Sequence, residues 1–296
     1  MSTIEQTADT RQSRLENSLL YENWLLLRKN KSAMLGLFII VIFILVAVFA
    51  PLLATHDPIA QNIDLRLSRP MENGYILGSD DFGRDLYSRI IYGARISLMI
   101  GTITVSIGLV FGVFLGLIAG YYGGVFDILI MRLIDIMLAF PYILLALVIV
   151  ATLGPSLRNA MIAIGIVGIP RYARIVRSSV LAEKESDYII VERSLGASNF
   201  ELMFKSILPN CLSPIIVQAT LGYAGAILSS AALSFLGMGT QPPTPEWGLM
   251  LSSAKQFVAS AWWVVTFPGV AILISVLGFN LFGDGLRDVL DPRLKE

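Results

Sequence analysis

The chain has 296 residues, 55% of them hydrophobic and only 15% charged, with a mean hydropathy of +0.71. That leaves too little polar surface to coat a soluble globule, and the apolar residues run in long unbroken stretches, as they do in membrane proteins. Formal net charge is zero, so no basic excess points to nucleic acid; a single cysteine, Cys211, and a single histidine, His56, leave disulfides, multi-cysteine metal sites and histidine-based catalytic constellations without their residues.

Residues 1–33 are polar or amphipathic and form a predicted segment before the first span. Within it Leu19, Leu20, Trp24 and Leu27 recur at roughly helical spacing among Glu22, Arg28 and Lys29. This fits a helix lying at the membrane surface with Trp24 in the interfacial belt, or a tail with chance spacing. No signal peptide is expected, because the apolar run that follows is too long for one.

A helix rises about 1.5 Å per residue, so crossing a bilayer core takes about 20 apolar residues. The first predicted span is 34–54 (Met34 to Ala54). An outer segment, 55–93, is charged and Pro-punctuated, with His56 read as a solvated loop residue beside Asp57 and Pro58. Five further spans make up 94–283: Ala94 to Gly120, Ile136 to Leu153, Asn159 to Val176, Pro214 to Leu236 and Trp263 to Gly283. Asn159 to Val176 is predicted to be short, with a kinked polar end at Pro170 and Arg171. Residues 284–296 form a tail. The fold class is thus an all-α membrane protein with six transmembrane helices.

Lys and Arg accumulate in cytoplasmic segments. With the N-terminus inside, fifteen of the 22 basic residues fall on the inner side, so both termini are expected in the cytoplasm. Were Asn159 to Val176 re-entrant, Arg287, Arg293 and Lys295 would lie outside, against that bias.

Gly108, Gly112, Gly116 and Gly120 share one face of the second span. Such a face serves close helix packing or lines a substrate path. Arg132 and Asp135, three residues apart, are expected to pair, as a structural ion pair or as part of a gate. The fifth span carries Gln218, Thr220, Tyr223, Ser229, Ser230 and Ser234 at membrane depth, which fits pathway lining or polar helix packing.

Between the fourth and fifth spans, 177–210 reads as two helices around a sharp corner. Ser178 to Leu195 has helical composition and ends at Gly196. Ser198 then opens a second helix with Glu201 at capping-box spacing, running through Leu202, Met203, Phe204 and Ile207 to a stop at Pro209. A stiff, partly apolar corner suits docking into another protein's groove. In the outer loop Gly237 to Trp262, Thr244-Pro245-Glu246 reads as a helix start and Trp262-Trp263 as an interfacial anchor; the loop faces a receptor or caps the bundle.

Tyr188-Ile-Ile-Val-Glu-Arg-Ser-Leu-Gly196-Ala-Ser, followed by Ile207-Leu-Pro-Asn210, resembles the EAA loop of bacterial ABC importer permeases, with Gly196, Leu208 and Pro209 on the motif and Ile190, Val191 and Glu192 departing from it. Leu77-Gly-Ser-Asp-Asp-Phe-Gly-Arg-Asp-Leu-Tyr-Ser-Arg-Ile-Ile-Tyr-Gly-Ala-Arg95 resembles the signature of C-type permeases of dipeptide and oligopeptide importers. Phe235 to Gly248 and Gly283 to Arg293 are similar to other stretches of that family, so that the likeness covers nearly the whole chain from about Trp24 onward.

The resemblance implies a type I ABC importer permease in the inner membrane, paired with a homologous second permease subunit. It further implies two cytoplasmic ATP-binding subunits gripping Glu192, Gly196, Ala197, Ser198, Glu201, Leu208 and Pro209, and a periplasmic substrate-binding protein delivering peptide. Gln218, Tyr223, Ser229 and Ser230 are the pathway candidates. This chain is expected to bind no cofactor, ATP and Mg being held by the partners; it has no G-x-x-x-x-G-K-[ST] phosphate loop. It is not expected to be an enzyme. Permeases of this type also carry glutathione, haem or nickel complexes. An ion-coupled transporter is the competing class, predicting paired deep acids and an internal repeat, neither of which is found.

Overall fold

The computed structural model describes residues 21 and 24–290, so Leu19, Leu20 and the last six residues lie outside it. Nine helices of eight residues or more organise the described chain: α1 (Lys31–Val48), α2 (Leu86–Tyr122), α3 (Gly124–Leu138), α4 (Tyr142–Leu153), α5 (Leu157–Glu183), α6 (Asp187–Ser194), α7 (Leu212–Phe235), α8 (Trp247–Ala254) and α9 (Trp263–Leu290). Among the described residues α1, α2, α5, α7 and α9 are long and apolar enough to cross a membrane, and α3 with α4 makes a sixth, broken crossing bent by 91°. The chain therefore shuttles between a corner face, built by residues 184–211, and a loop face, built by 49–85 and 236–262.

The broken crossing differs from the uninterrupted 136–153 span expected. Pro141 offers no amide proton and disfavours helical backbone at Phe140, so one helix ends at Leu138 and the next begins at Tyr142. By contrast α5 runs on as one helix past Pro170, to Glu183 rather than Val176. Helices on both sides hold it in place, and one lost backbone bond is tolerated. Polar helix ends also escape hydropathy: α2 already starts at Leu86, inside the expected 55–93 segment, capped by Asp85, whose carboxylate accepts from the Ser88 amide at 3.1 Å. At the other end α9 extends to Leu290.

Lipid offers helices no hydrophobic reason to associate, so small residues decide where they touch. Gly108, Gly112, Gly116 and Gly120 of α2 lie against Tyr172, Ala173, Val176, Arg177 and Val180 of α5. A Cβ on Gly112 would sit 2.5 Å from the Tyr172 Cβ and 2.9 Å from the Ile169 carbonyl, so the two backbones meet only because it is absent. Gly36 of α1 abuts the backbone of Gly278 and Phe282 in α9 in the same way. The apolar residues left uncovered, such as Phe38, Leu45, Val110, Phe114 and Leu273, face the place of lipid or of another subunit.

Asp135 does not pair with Arg132, as the spacing predicts. It accepts from Arg174 of α5 at 2.7 Å, while Asp127 holds Arg177 at 2.5 Å. Both bridges join α3 to α5, because α3 packs beside α5 and presents its acids to that neighbouring helix.

Candidate functional site

The corner is closed by its own backbone. At the end of α6 the Gly196 amide donates to Arg193 and the Ala197 amide to the Glu192 carbonyl, both at 3.1 Å. This Schellman pattern requires left-handed backbone at Gly196, where φ is +90°. Ser198 and Glu201 then cap the next turn reciprocally: Ser198 Oγ accepts from the Glu201 amide at 3.3 Å, and a Glu201 carboxylate oxygen accepts from the Ser198 amide at 3.1 Å. The bond from Ser198 is the main reason the Glu201 carboxyl is held below the usual glutamate range.

The helix does not stop at Pro209, as predicted. It widens into a π-turn, Leu202–Ile207, in which the Leu208 amide reaches Met203. Pro209 then falls in the first turn of the next helical stretch, where its missing amide proton costs nothing, and the chain passes through Leu208–Asn210 into α7. Glu192 accepts from Ser206 Oγ at 2.6 Å, tying the two arms together.

Ile189, Leu202 and Ile207 are fully buried on Leu117, Val176 and Val180, the ends of α2 and α5. Each such burial is worth roughly 1.5–3 kcal/mol, so the corner rides rigidly on the bundle. The opposite side is uncovered: Leu195 is 83% and Phe200 67% exposed, with Ile190 and Val191 beside them. A rigid, apolar, unpartnered knob outside the bundle is a docking element by its chemistry.

Above the corner, a cavity of about 530 Å³ opens between α3, α4, α5 and α7. Gln218 and Ser229 line it, with Gly222 and Gly225 between them on one face of α7. Tyr223 and Ser230 lie on another face: Tyr223 stacks on Phe279 at 4.8 Å and meets Thr102 at 2.5 Å, and Ser230 is buried. The helical period separates the two sets, a signal already present in the sequence. Arg171, Tyr142 and Tyr172, none of them singled out by the sequence as pathway residues, also line the cavity. A second cavity of about 560 Å³ reaches from Asn210 to Leu221 beside Arg287 of α9. Gln218 borders both.

The loop face is a charged clasp. Arg89, 2% exposed, donates to the carbonyls of Pro58 at 2.8 Å and Pro243 at 3.2 Å and lies 3.4 Å from Asp80, which Arg84 also holds at 2.7 Å. Trp247 donates to the Ile90 carbonyl and Trp263 to that of Ser79. Trp262 stays exposed, so only one of the tryptophan pair is free to anchor in an interface. Helix α8 starts at Trp247 rather than Thr244, capped by Glu246, whose two oxygens accept from the amides of Gly248 and Leu249. His56 sits exposed beside this clasp, 3.4 Å from Asp85. The two signature stretches, Leu77 to Arg95 and Phe235 to Gly248, thus prove to be one folded unit.

Residues 112–296 match the family of binding-protein-dependent transport system inner membrane components, and residues 18–70 match the N-terminal TM domain of oligopeptide transport permease C. The dipeptide transport system permease protein DppC of Alkalihalophilus pseudofirmus is 56% identical over 91% of this chain and 88% of its own length. The DppC proteins of Escherichia coli (54% identical, 94% of both chains) and Pseudomonas aeruginosa (a di/tripeptide permease, 52% identical, 94% of this chain and 93% of its own) are similar over nearly their whole lengths. In fold the chain resembles the MetNI methionine ABC transporter in an inward-facing conformation, with a TM-score of 0.55 and 20% identity over 69% of this chain and 96% of that one.

Proposed function

Because the chain belongs to the family of binding-protein-dependent transport system inner membrane components, we propose that it is one membrane-spanning half of an ATP-driven importer of dipeptides and short oligopeptides. The observation that carries this reading is the rigid apolar corner, 187–211, fused at both ends to helices that line the cavities.

A homologous second permease subunit closes the open side of the cavity. Two ATP-binding subunits receive Leu195 and Phe200 in grooves on the cytoplasmic side, and ATP and Mg are bound there. A periplasmic substrate-binding protein docks on the loop face. The chain sits in the inner membrane with both termini and the corner in the cytoplasm, in keeping with its charge bias. When the ATP-binding subunits close, the corner moves as a solid piece, and α5 and α7 move with it. The bundle thus shifts between two discrete packings, one open to each side. Peptide passes from the first cavity to the second past Gln218.

The test is ATP-dependent uptake of a labelled dipeptide into proteoliposomes that hold the complete assembly with its receptor. Uptake by this chain alone, without ATP-binding subunits, would overturn the reading. Gly196→Val forces a side chain into left-handed backbone at a cost of about 1–2 kcal/mol and reshapes the corner. The variant complex is expected to assemble and hydrolyse ATP while uptake falls at least tenfold; undiminished uptake would remove the corner from the coupling role.

A further inference from the structure

Helix α5 presents three arginines at successive turns, Arg171, Arg174 and Arg177, toward the broken crossing. Arg177 is held by Asp127 and Arg174 by Asp135. Arg171 has no carboxylate or hydrogen-bond partner among the described residues; it is exposed on the wall of the 530 Å³ cavity. It lies fourteen residues into α5 from Leu157, about 20 Å along a helix that is long and apolar enough to cross a membrane. A bare guanidinium there is costly and persists where water or a ligand meets it.

The rest of the wall has one character. Gln218, Ser229, Thr104 and the phenols of Tyr142 and Tyr172 offer neutral hydrogen-bonding groups among apolar ones, and no carboxylate lines the cavity. The volume falls within the range of about 300–1,000 Å³ usual for small-ligand sites. A wall with one fixed cation and neutral polar neighbours is complementary to a ligand with one anionic end and a neutral polar body. A guanidinium grips a carboxylate in particular through two parallel N–H donors.

We infer that Arg171 is the transit site for the C-terminal carboxylate of the passing peptide, with Gln218 and Ser229 bonding its backbone. The proposal rests on the peptide-import reading. It orients the cargo, carboxylate on this subunit and ammonium toward the opposite wall. It also explains why the third arginine of the series lacks an acid of its own: an internal partner would occupy the site.

The experiment uses the complete reconstituted importer with Arg171→Gln, and two probes: alanyl-alanine and its C-terminal amide. Uptake of each by the variant is divided by that of the parent, so receptor selectivity cancels. Equilibrium binding of both peptides to the receptor-free, nucleotide-free complex is the second readout. The acid is expected to lose about tenfold or more and the amide little, the size of one charged hydrogen-bonded contact; in binding, the parent prefers the acid and the variant prefers neither. Equal losses for both, or no acid preference in the parent, overturn the assignment, equal losses marking Arg171 as a contact to a carboxylate of the second subunit. If Arg171→Gln does not assemble, Arg171→Lys is scored in its place: its retained charge should keep a reduced acid preference, and an unchanged one overturns the bidentate grip. A parent complex that takes up and binds neither peptide would overturn the peptide reading itself.

Discussion

Single residues do their work here through what surrounds them. Gly196 matters for its backbone and not for space, since a Cβ there would meet nothing within 4 Å. Arg89 and Glu246 are charged groups withdrawn almost wholly from water, each 2% exposed; Arg89 joins backbone that is distant in sequence, at Pro58 and Pro243, while Glu246 caps the start of its own helix. For Glu246 burial is the dominant influence and raises the carboxyl above the usual glutamate range, although two backbone amides favour its charged form. An acid raised by folding contributes stability that is complete below its unfolded pKa of about 4.3 and is lost as pH climbs through the folded value. Melting the purified protein against Glu246→Gln should therefore show the parent's Tm falling relative to the variant's as pH rises above about 4.3. A Tm difference that does not change with pH, or a parent Tm that rises relative to the variant's, would contradict this.

Among the elements, the join between α2 and α5 is the most demanding. Its four glycines admit the backbone and side chains of α5 at distances that a methyl group would forbid. Gly112→Leu must displace both the Tyr172 side chain and the Ile169 carbonyl, and overpacking a tight site costs about 1–3 kcal/mol or more. Since the corner is built on the ends of the same two helices, the damage should reach it as well. The expected outcome is loss of assembled complex from membranes, read by co-purification with the partner subunits; normal assembly would show that α2 and α5 can separate freely. The corner itself was legible because its signals are local: Gly196, Ser198 and Glu201 act within a few residues of one another. The π-turn was not, since whether Pro209 ends a helix or enters the first turn of a new one depends on the backbone that precedes it.

At the scale of the whole molecule, six crossings set the corner and the 55–85 loops on opposite faces. The only cysteine, Cys211, is buried, which leaves a quiet background for labelling. A membrane-impermeant maleimide added to intact cells should label Asn73→Cys and spare Gly196→Cys until the cells are opened. The reverse pattern would invert the orientation and detach the corner from any cytoplasmic ATPase. The cavities belong to this scale too: α2, α3, α4, α5 and α7 together line the 530 Å³ cavity, and none of them makes it alone.

The amino-acid sequence by itself determined that the chain crosses a membrane several times and where a capped corner interrupts the spans. Those properties rest on composition, on a local period or on residues within a single turn. Tertiary structure alone decided that Asp135 turns from Arg132 to Arg174, that Arg89 ties the 49–85 segment to the 236–262 segment, and that Arg171 is left without an acid beside a cavity. The choice of partner for a charge depends on which helices become neighbours, and no local pattern carries that information.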